Sequence, residues 1–142
     1  MRKALPADSL YLINNKGSDV LALAGATLDA RLAWTRGDRA ESIRQWRRAV
    51  ELEGAIQYDE PPAWFYPVRQ SLAAALLQNG QAKEAEAVFR EALAKHARDG
   101  RLLFGLWQSL AAQKRDTEAA LVEQQFQTAW KGATTKLRIE DL

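Results

Sequence analysis

The sequence predicts an all-α domain built from three helical hairpins. Residues between Leu21 and Trp130 are rich in Ala, Leu, Arg, Glu and Gln, which favour helices, whereas β-branched residues are few. Apolar residues recur every three or four positions, and a similar pattern returns after 34 residues. With 142 residues, 47% of them hydrophobic, the chain has room for one domain with a real core.

The helical hairpins can be placed along the chain from their apolar stripes and turn residues. Residues 1–17 are expected to form an irregular lead-in, because Pro6 and a polar run before Ser18 interrupt any periodicity. Ser18 or Asp19 is predicted to cap the first helix, and Asp116 the last. The repeat domain covers residues 18–131 and a tail covers 132–142, with helix pairs at about 19–36 and 38–53, 62–79 and 81–97, and 101–113 and 116–131.

Apolar side chains on one face of each first helix are predicted to form the core. The steps between them are three or four residues, as in an amphipathic helix. The predicted buried stripes are Leu21, Ala24, Leu28 and Leu32 in the first helix, and Val68, Leu72, Ala75 and Leu76 in the third.

An internal repeat supports the three hairpins. The segment Leu76–Ala85 aligns with Leu110–Ala119 at an offset of 34 residues. A third copy surrounds Gly37, but Gly80 follows it by 43 residues, nine more than the period. Gly37 and Gly80 suit the left-handed conformation that ends a helix. Lys114 stands at the third turn, where it costs little provided that it avoids this conformation.

The repeated pattern resembles that of tetratricopeptide repeats. A small residue follows the turn and an aromatic or apolar residue comes four positions later, as in Ser42 with Trp46 and Ala85 with Phe89. The resemblance covers about residues 21–131, and it implies an α-solenoid, a right-handed superhelix with a concave groove. A narrower similarity, carried by residues 58–72 and 103–106, is to the C-terminal part of larger bacterial tetratricopeptide proteins of undefined function. It implies that further repeats lie upstream.

The resemblance also assigns the groove lining to the first helix of each pair. Chaperone-binding relatives hold a terminal carboxylate with Lys and Asn at such positions, and neither is present here, which disfavours that partner class. Arginine, glutamine and aromatic side chains instead suit an extended peptide that offers acceptors and one apolar anchor. The alternative is a solvated groove with no ligand. The positions are Ala24, Thr27, Arg31 and Trp34, then Pro67, Gln70 and Ala74, then Arg101, Phe104 and Gln108.

The nine extra residues before the second hairpin form a proline- and aromatic-rich segment. Pro61 and Pro62 favour extended geometry, and Pro62 or Pro67 suits the first turn of a helix. Because aromatic residues and arginine dominate binding hot spots, this segment is a second candidate binding site. The alternative is that its aromatic residues 64–66 pack into the gap left by the longer connection. The candidate residues are Tyr58, Glu60, Trp64, Tyr66 and Arg69.

Catalytic and metal sites are not expected. The chain has no cysteine, and the single histidine, His96, cannot form a conventional metal site. No phosphate loop or nucleophile motif occurs. Asp59 and Glu60 are adjacent on an extended segment, where neighbouring side chains point apart, so a turn-forming role is favoured over catalysis. We therefore expect no enzyme and no cofactor.

The charge pattern also limits the partners. With 20 basic and 18 acidic residues the net charge is only +2, and acidic residues follow the arginines between Arg31 and Arg48, so a nucleic-acid partner is not expected. No apolar run is long enough for membrane insertion or a signal peptide, which favours the cytoplasm. Two hypotheses remain: a protein- or peptide-binding scaffold that uses the groove, and a structural module that self-associates through its terminal repeats.

Overall fold

The structure is a computed structural model that describes residue 6, residues 9–11 and residues 13–142. Helices dominate this part of the chain, which confirms the predicted all-α class of helical hairpins. Strands within it are limited to a two-residue antiparallel ladder. The elements are β1 (Leu10–Tyr11), β2 (Asn15–Lys16), α1 (Gly17–Thr35), α2 (Arg39–Ala55), α3 (Val68–Gln78), α4 (Ala82–Lys95), α5 (Gly100–Ala112), α6 (Asp116–Ala129) and a 3-10 turn at Ile139–Asp141.

The chain divides into two compact units. Unit 1 extends through Val68 and contains the α1–α2 hairpin. Unit 2 runs from Arg69 to Leu142 and contains α3, apart from its first residue, with α4, α5 and α6. The right-handed superhelical stacking of three hairpins stays a prediction.

The three helix-to-helix turns share one geometry. One residue in each turn has a positive φ, at 83° for Gly37, 81° for Gly80 and 59° for Lys114. The amide of that residue donates to the carbonyl three residues back, and the next amide donates to the carbonyl five residues back, over 2.9–3.1 Å. This is the Schellman ending of a helix. Lys114 therefore does not avoid the left-handed conformation, so the condition under which a small cost was expected at the third turn is not met.

The predicted buried stripe of α1 is also wrong. Leu21 and Leu28 are each 57% exposed, and Leu32 is 40% exposed. Apolar residues occupy more than one face of α1, and the face with small side chains is the one that lies against α2, because alanines allow two helix backbones to approach closely. The buried residues of that face are Leu23, Ala26, Ala30 and Ala33.

The α1–α2 contact includes a buried polar link. The hydroxyl of Ser42 on α2 donates to the carbonyl of Ala30 on α1 over 2.8 Å, and Ser42 is fully buried. The equivalent small residues after the other two turns, Ala85 and Ala119, are buried as well. A small residue at this position thus lets each second helix pack closely on its neighbour.

Two predicted caps differ from the structure. Lys16 occupies the N-cap of α1 and makes no side-chain cap bond, so neither Ser18 nor Asp19 caps this helix. The amide of Gly17 donates to the carbonyl of Ser9 over 2.8 Å, so the lead-in supplies an acceptor instead. At α6 the N-cap is Arg115, and Asp116 is the first helical residue.

The second hairpin begins later than predicted. Helix α3 starts at Val68 rather than near residue 62, and residues 57–67 are not helical. Pro67 directly precedes the helix, and a residue before proline is disfavoured in the α conformation, so Tyr66 does not extend the helix upstream. The predicted buried stripe of α3 is confirmed, since Val68, Leu72, Ala75 and Leu76 are all buried.

A buried carboxylate holds the lead-in against the loop that follows α2. Asp59 is 3% exposed and accepts hydrogen bonds from the side-chain amides of Asn14 at 2.9 Å and Asn15 at 2.7 Å. Asn15 also exchanges two hydrogen bonds with the main chain of Gln57, at 2.8 Å and 2.9 Å. Residues 14–15 and 57–59 are therefore fixed to each other within unit 1.

The core of unit 2 is built around Phe89. This α4 side chain is fully buried, and its ring covers Gly105 on α5 so closely that a Cβ there would lie 2.1 Å from a ring atom. The absence of a side chain at Gly105 is thus what lets α4 and α5 approach.

Candidate peptide-binding surfaces

Three donor side chains of unit 2, which form a candidate binding surface, contact the tail of the same chain. Arg101 on α5 donates to the carbonyl of Asp141 over 2.8 Å. Ser71 and Gln70 on α3 donate to the carbonyl of Leu142 over 3.0 Å and 3.3 Å. We call these three side chains, Gln70, Ser71 and Arg101, the tail-docking surface. All three donors bond to main-chain carbonyls of the segment that they hold.

Two leucines of the tail are buried by this arrangement. Leu137 is 7% exposed and Leu142 is 9% exposed, whereas Arg138, Glu140 and Asp141 between them are exposed. The short 3-10 turn at Ile139–Asp141 accounts for this pattern, because it allows the two leucines to face inward together. The docked segment is thus recognised by main-chain hydrogen bonds and by two apolar side chains.

The charged residues of the tail bond to each other. The main-chain amide of Arg138 donates to the carboxylate of Asp141 over 2.9 Å, and its guanidinium lies 3.2 Å from the other oxygen. The side-chain and main-chain hydrogen bonds from Arg138 lower the pKa of Asp141 below its usual value. The side chain of Asp141 thus bonds to Arg138, whereas its main-chain carbonyl accepts the hydrogen bond from Arg101.

The tail leaves α6 through a second set of contacts. Gly132 has a φ of 87°, which turns the chain, and the amide of Ala133 donates to the carbonyl of Trp130 over 3.1 Å. The indole N–H of Trp130 then donates to the carbonyl of Thr135 over 2.9 Å. Residues 130–135 therefore direct the tail back towards α5.

Phe104, the predicted apolar anchor, belongs to an aromatic cluster. Phe104 is 8% exposed, and its ring centroid lies 5.4 Å from that of Phe126 and 5.8 Å from that of Trp107. Phe126 also stacks on Trp107 at 5.8 Å and on Trp130 at 5.9 Å. Phe104 is thus a core residue of unit 2 rather than an open contact for a ligand.

In unit 1 the structure brings Arg31 together with the aromatic segment. The Arg31 guanidinium donates to the hydroxyl of Tyr66 over 2.7 Å and lies 5.0 Å from its ring centroid. The Tyr66 ring stacks on Trp46 at 6.2 Å, and the indole of Trp64 donates to the Tyr66 carbonyl over 2.9 Å. Tyr66 therefore packs against the α1–α2 hairpin, as the packing alternative predicts, whereas Phe65 is 91% exposed.

The rest of the segment forms a shallow cleft of about 300 Å³. Tyr58 is 77% exposed, and its hydroxyl donates to the carboxylate of Glu60, which raises the pKa of Tyr58. Tyr58 and Trp64 line the cleft together with Asp59 and Pro62. An aromatic surface beside acidic oxygens suits a basic or amide-bearing side chain.

The remaining predicted residues are not gathered at either surface. Arg39 covers Trp34, with its guanidinium carbon 3.5 Å from the indole centroid. The hydroxyl of Thr27 donates to the carbonyl of Leu23 over 2.9 Å, within α1. Arg69 and Gln108 are half-buried residues of unit 2. The structure thus brings together Arg31, Trp64 and Tyr66 in unit 1, and Gln70 with Arg101 in unit 2.

The sequence-based prediction missed the segment that occupies the tail-docking surface. Leu137, Ile139 and Leu142 were a weak signal, because apolar residues recur in a tail that is otherwise polar. Ser71 was missed since serine on a helix has no distinguishing pattern. The bonds of Asp59 to Asn14 and Asn15 join residues more than 40 positions apart, and no local pattern predicts such a contact.

The described residues show two further features that bear on function. A cleft of about 450 Å³ in unit 2 is lined by Leu103, Ala129 and their neighbours, and it contains no predicted site residue. None of the helices in the described ranges combines the length and hydrophobicity that crossing a membrane requires.

A comparison with protein families identifies one segment. A family model described as tetratricopeptide repeat matches residues 67–109, which run from Pro67 through α3 and α4 to Ser109 on α5. This confirms the predicted resemblance to the tetratricopeptide repeat family. No curated protein and no solved structure matches the chain. The narrower similarity to the C-terminal part of larger bacterial proteins stays a prediction.

Proposed function

We propose, because residues 67–109 match a tetratricopeptide repeat, that this chain is a non-catalytic scaffold and binds segments of other proteins on the tail-docking surface. Repeats of this family generally serve as protein-interaction scaffolds. The observation that supports this site is the contact of Arg101, Ser71 and Gln70 with two main-chain carbonyls of residues 141–142. The cytoplasm remains the predicted compartment.

Main-chain recognition suits a peptide ligand. Every extended or turned segment offers carbonyl acceptors, so donors aimed at carbonyls contribute affinity for many sequences, whereas side-chain pockets select among them. Arg101 makes the strongest of these bonds, because a hydrogen bond from a charged donor is about twice as strong as a neutral one. The burial of Leu137 and Leu142 supports a preference of this site for leucine side chains.

Binding can be tested with a variant whose tail is displaced. Leu137→Asp with Leu142→Asp places charges where the leucines are buried, so the surface is freed while the chain keeps its length. A fluorescent peptide with the sequence of residues 134–142 should then bind this variant, and adding Arg101→Glu should weaken binding about tenfold, the loss of about 1.4 kcal/mol. Fluorescence anisotropy measures both dissociation constants.

The matched control is Lys83→Glu in the same displaced variant, because Lys83 is exposed on α4 and has no part in the tail-docking surface. We expect it to leave the dissociation constant unchanged. If the displaced variant is folded by circular dichroism and binds no peptide at about 1 mM, or if Arg101→Glu and Lys83→Glu have equal effects, the proposed function is wrong.

A second candidate function is self-association through α1. Leu28 and Leu32 lie nine and five residues before the turn residue Gly37, and Gly105 and Ser109 lie at the same distances before Lys114. In α5 these two positions are buried, and Gly105 packs under Phe89 of the preceding helix. The exposed α1 stripe, which also includes Leu21, thus occupies the positions at which a repeat packs on the one before it.

Light scattering after size exclusion, over a concentration series, tests this second candidate. A second copy packed on the α1 stripe would raise the mass with concentration, and Leu28→Ser with Leu32→Ser would restore a monomer, because the exposed leucines supply the apolar area. A constant monomer mass for the unmodified chain up to about 1 mM would exclude self-association as a function of this surface.

A further inference from the structure

The docked tail indicates what kind of segment the tail-docking surface selects. Residues 137–142 bury their first and last side chains, both leucines, and expose Arg138, Glu140 and Asp141 between them. The donors of the surface bond to the carbonyls of the last two residues only. Selection by apolar side chains therefore depends mainly on two leucines separated by four residues, with a half-buried Ile139 between them.

The same contacts make the docked state reversible. The tail has no regular structure from Ala133 to Arg138, and it is held by two buried leucines and a few hydrogen bonds. The conformational entropy of ordering about nine residues opposes these contacts. All three donors, Gln70, Ser71 and Arg101, are polar side chains that water can solvate when the tail leaves. The surface can therefore exchange the tail for another segment.

We propose that residues 137–142 are a tethered occupant of the tail-docking surface, and that the external ligand is a protein segment with leucines at its first and sixth positions, which binds by displacing the tail. This inference rests on the proposed function. A tethered segment competes at an effective concentration of about 1 mM, set by the short connection from α6. The tail therefore raises the apparent dissociation constant of every ligand by the same factor, one plus this concentration divided by the dissociation constant of the free tail peptide.

The experiment compares the unmodified chain with the variant Leu137→Asp, Leu142→Asp, using the fluorescent peptide of residues 134–142. If the peptide binds the displaced variant with a dissociation constant of about 100 µM, the tether should weaken binding to the unmodified chain about tenfold. Thr134→Asp with Thr135→Asp is the matched control, because it adds the same charge at exposed positions of the tail. It should bind like the unmodified chain.

The possible outcomes distinguish a failure of the tethered arrangement from a failure of the proposed binding function on which it rests. Equal affinity of the unmodified chain and the displaced variant would overturn the tethered occupant and leave the binding function intact. Absence of binding to a folded displaced variant would overturn both. A peptide in which serine replaces both leucines should fail to bind, and equal binding of that peptide would overturn the two-leucine rule.

The same two proteins also test whether the tail docks on its own chain or on a second copy. Light scattering should give the same mass for both proteins at every concentration, because the α1 stripe is unchanged between them. A dimer formed by the unmodified chain and lost in the displaced variant would mean that the tail docks on a second copy, which would overturn the tethered arrangement. Should the displaced variant not fold, the single substitution Leu142→Ser provides the comparison, because it removes one anchor without adding a charge.

Discussion

Single residues decide the geometry of the turns. Gly37, Gly80 and Lys114 occupy the same position in the three turns and share the same hydrogen-bond pattern. A residue with a Cβ loses about 1 kcal/mol in the left-handed conformation, whereas glycine does not. The strain at Lys114 is tolerated because two main-chain N–H groups of the turn donate hydrogen bonds to carbonyls at the end of α5.

Lys114→Gly should stabilise the chain. Glycine removes the left-handed strain but gains entropy in the unfolded state, so a net increase of about 0.5 kcal/mol in the free energy of unfolding is expected. Urea unfolding followed by circular dichroism measures it. Lys114→Ala, which keeps the Cβ, is the control and should give no gain, and a gain as large as that of glycine would show that strain is not the cause.

At Gly105 glycine is required because there is no space for a side chain, and not because of the backbone conformation. Gly105→Ala would place a Cβ 2.1 Å from a ring atom of the buried Phe89, so we expect a loss of about 2 kcal/mol in the free energy of unfolding. Gly25→Ala on α1 is the matched control, since nothing lies within 4 Å of its Cβ position, and it should be neutral or stabilising. Equal effects of the two substitutions in urea unfolding would contradict this packing.

At the scale of helices, a single carboxylate links α4 to the turn between α5 and α6. Glu86 on α4 is buried and accepts hydrogen bonds from Gln113 at 2.8 Å, Arg115 at 2.6 Å and Arg90 at 2.8 Å. Burial raises the pKa of Glu86, but the hydrogen bonds from Gln113 and Arg90 and the charges of Arg115 and Arg90 outweigh it, so the pKa lies below its usual value. The ionised form is therefore favoured by folding.

The pH dependence of stability follows from this direction. Because the folded pKa is lower than the unfolded one, the stabilisation is fully present above the unfolded pKa of about 4.3 and is lost as the pH falls through the folded pKa. Glu86→Gln should lower the free energy of unfolding by about 1 kcal/mol at pH 7 and by less at pH 3.

Urea unfolding at pH 7, 5 and 3 measures this difference. Glu91→Gln is the control, because Glu91 is an exposed residue of the same helix. Its effect should be small and independent of pH. A Glu86→Gln effect that stays constant or grows towards pH 3 would contradict the assigned ionised state.

At the scale of the whole molecule, contacts between distant segments position the parts that are not helical. Asp59 joins the lead-in to the loop after α2, and the tail-docking surface joins α3 to residues more than 70 positions later. In each contact, one of the two partners lies outside the repeats. They determine which surfaces of units 1 and 2 are open.

Asp59→Asn should release the lead-in. The amide replaces a buried acceptor of several hydrogen bonds with a group that also donates, so the donors of Asn14 and Asn15 lose a partner, at a cost of about 2 kcal/mol. Hydrogen exchange should accelerate at residues 14–17 and 57–59. Asp29→Asn, at an exposed position of α1, is the control, and equal protection in both variants would rule out an anchoring role for Asp59.

The sequence by itself determined the helices, the turns and the repeat, because these depend on residues within a few positions of each other. Periodic apolar side chains predict the helices, and Gly37 and Gly80 predict two of the turns. The small residues Ser42, Ala85 and Ala119 mark the repeat. Of the candidate surfaces, it predicted Arg31, Gln70 and Arg101 from their repeat positions and Tyr66 from the proline- and aromatic-rich segment. Only the tertiary structure decided which face of α1 is buried, because several faces carry apolar residues and their burial depends on the neighbour. It also decided that Asp59 bonds to the lead-in and that Asp141 and Leu142 bond to the tail-docking surface, since contacts between residues this far apart in the chain leave no periodic pattern in the sequence.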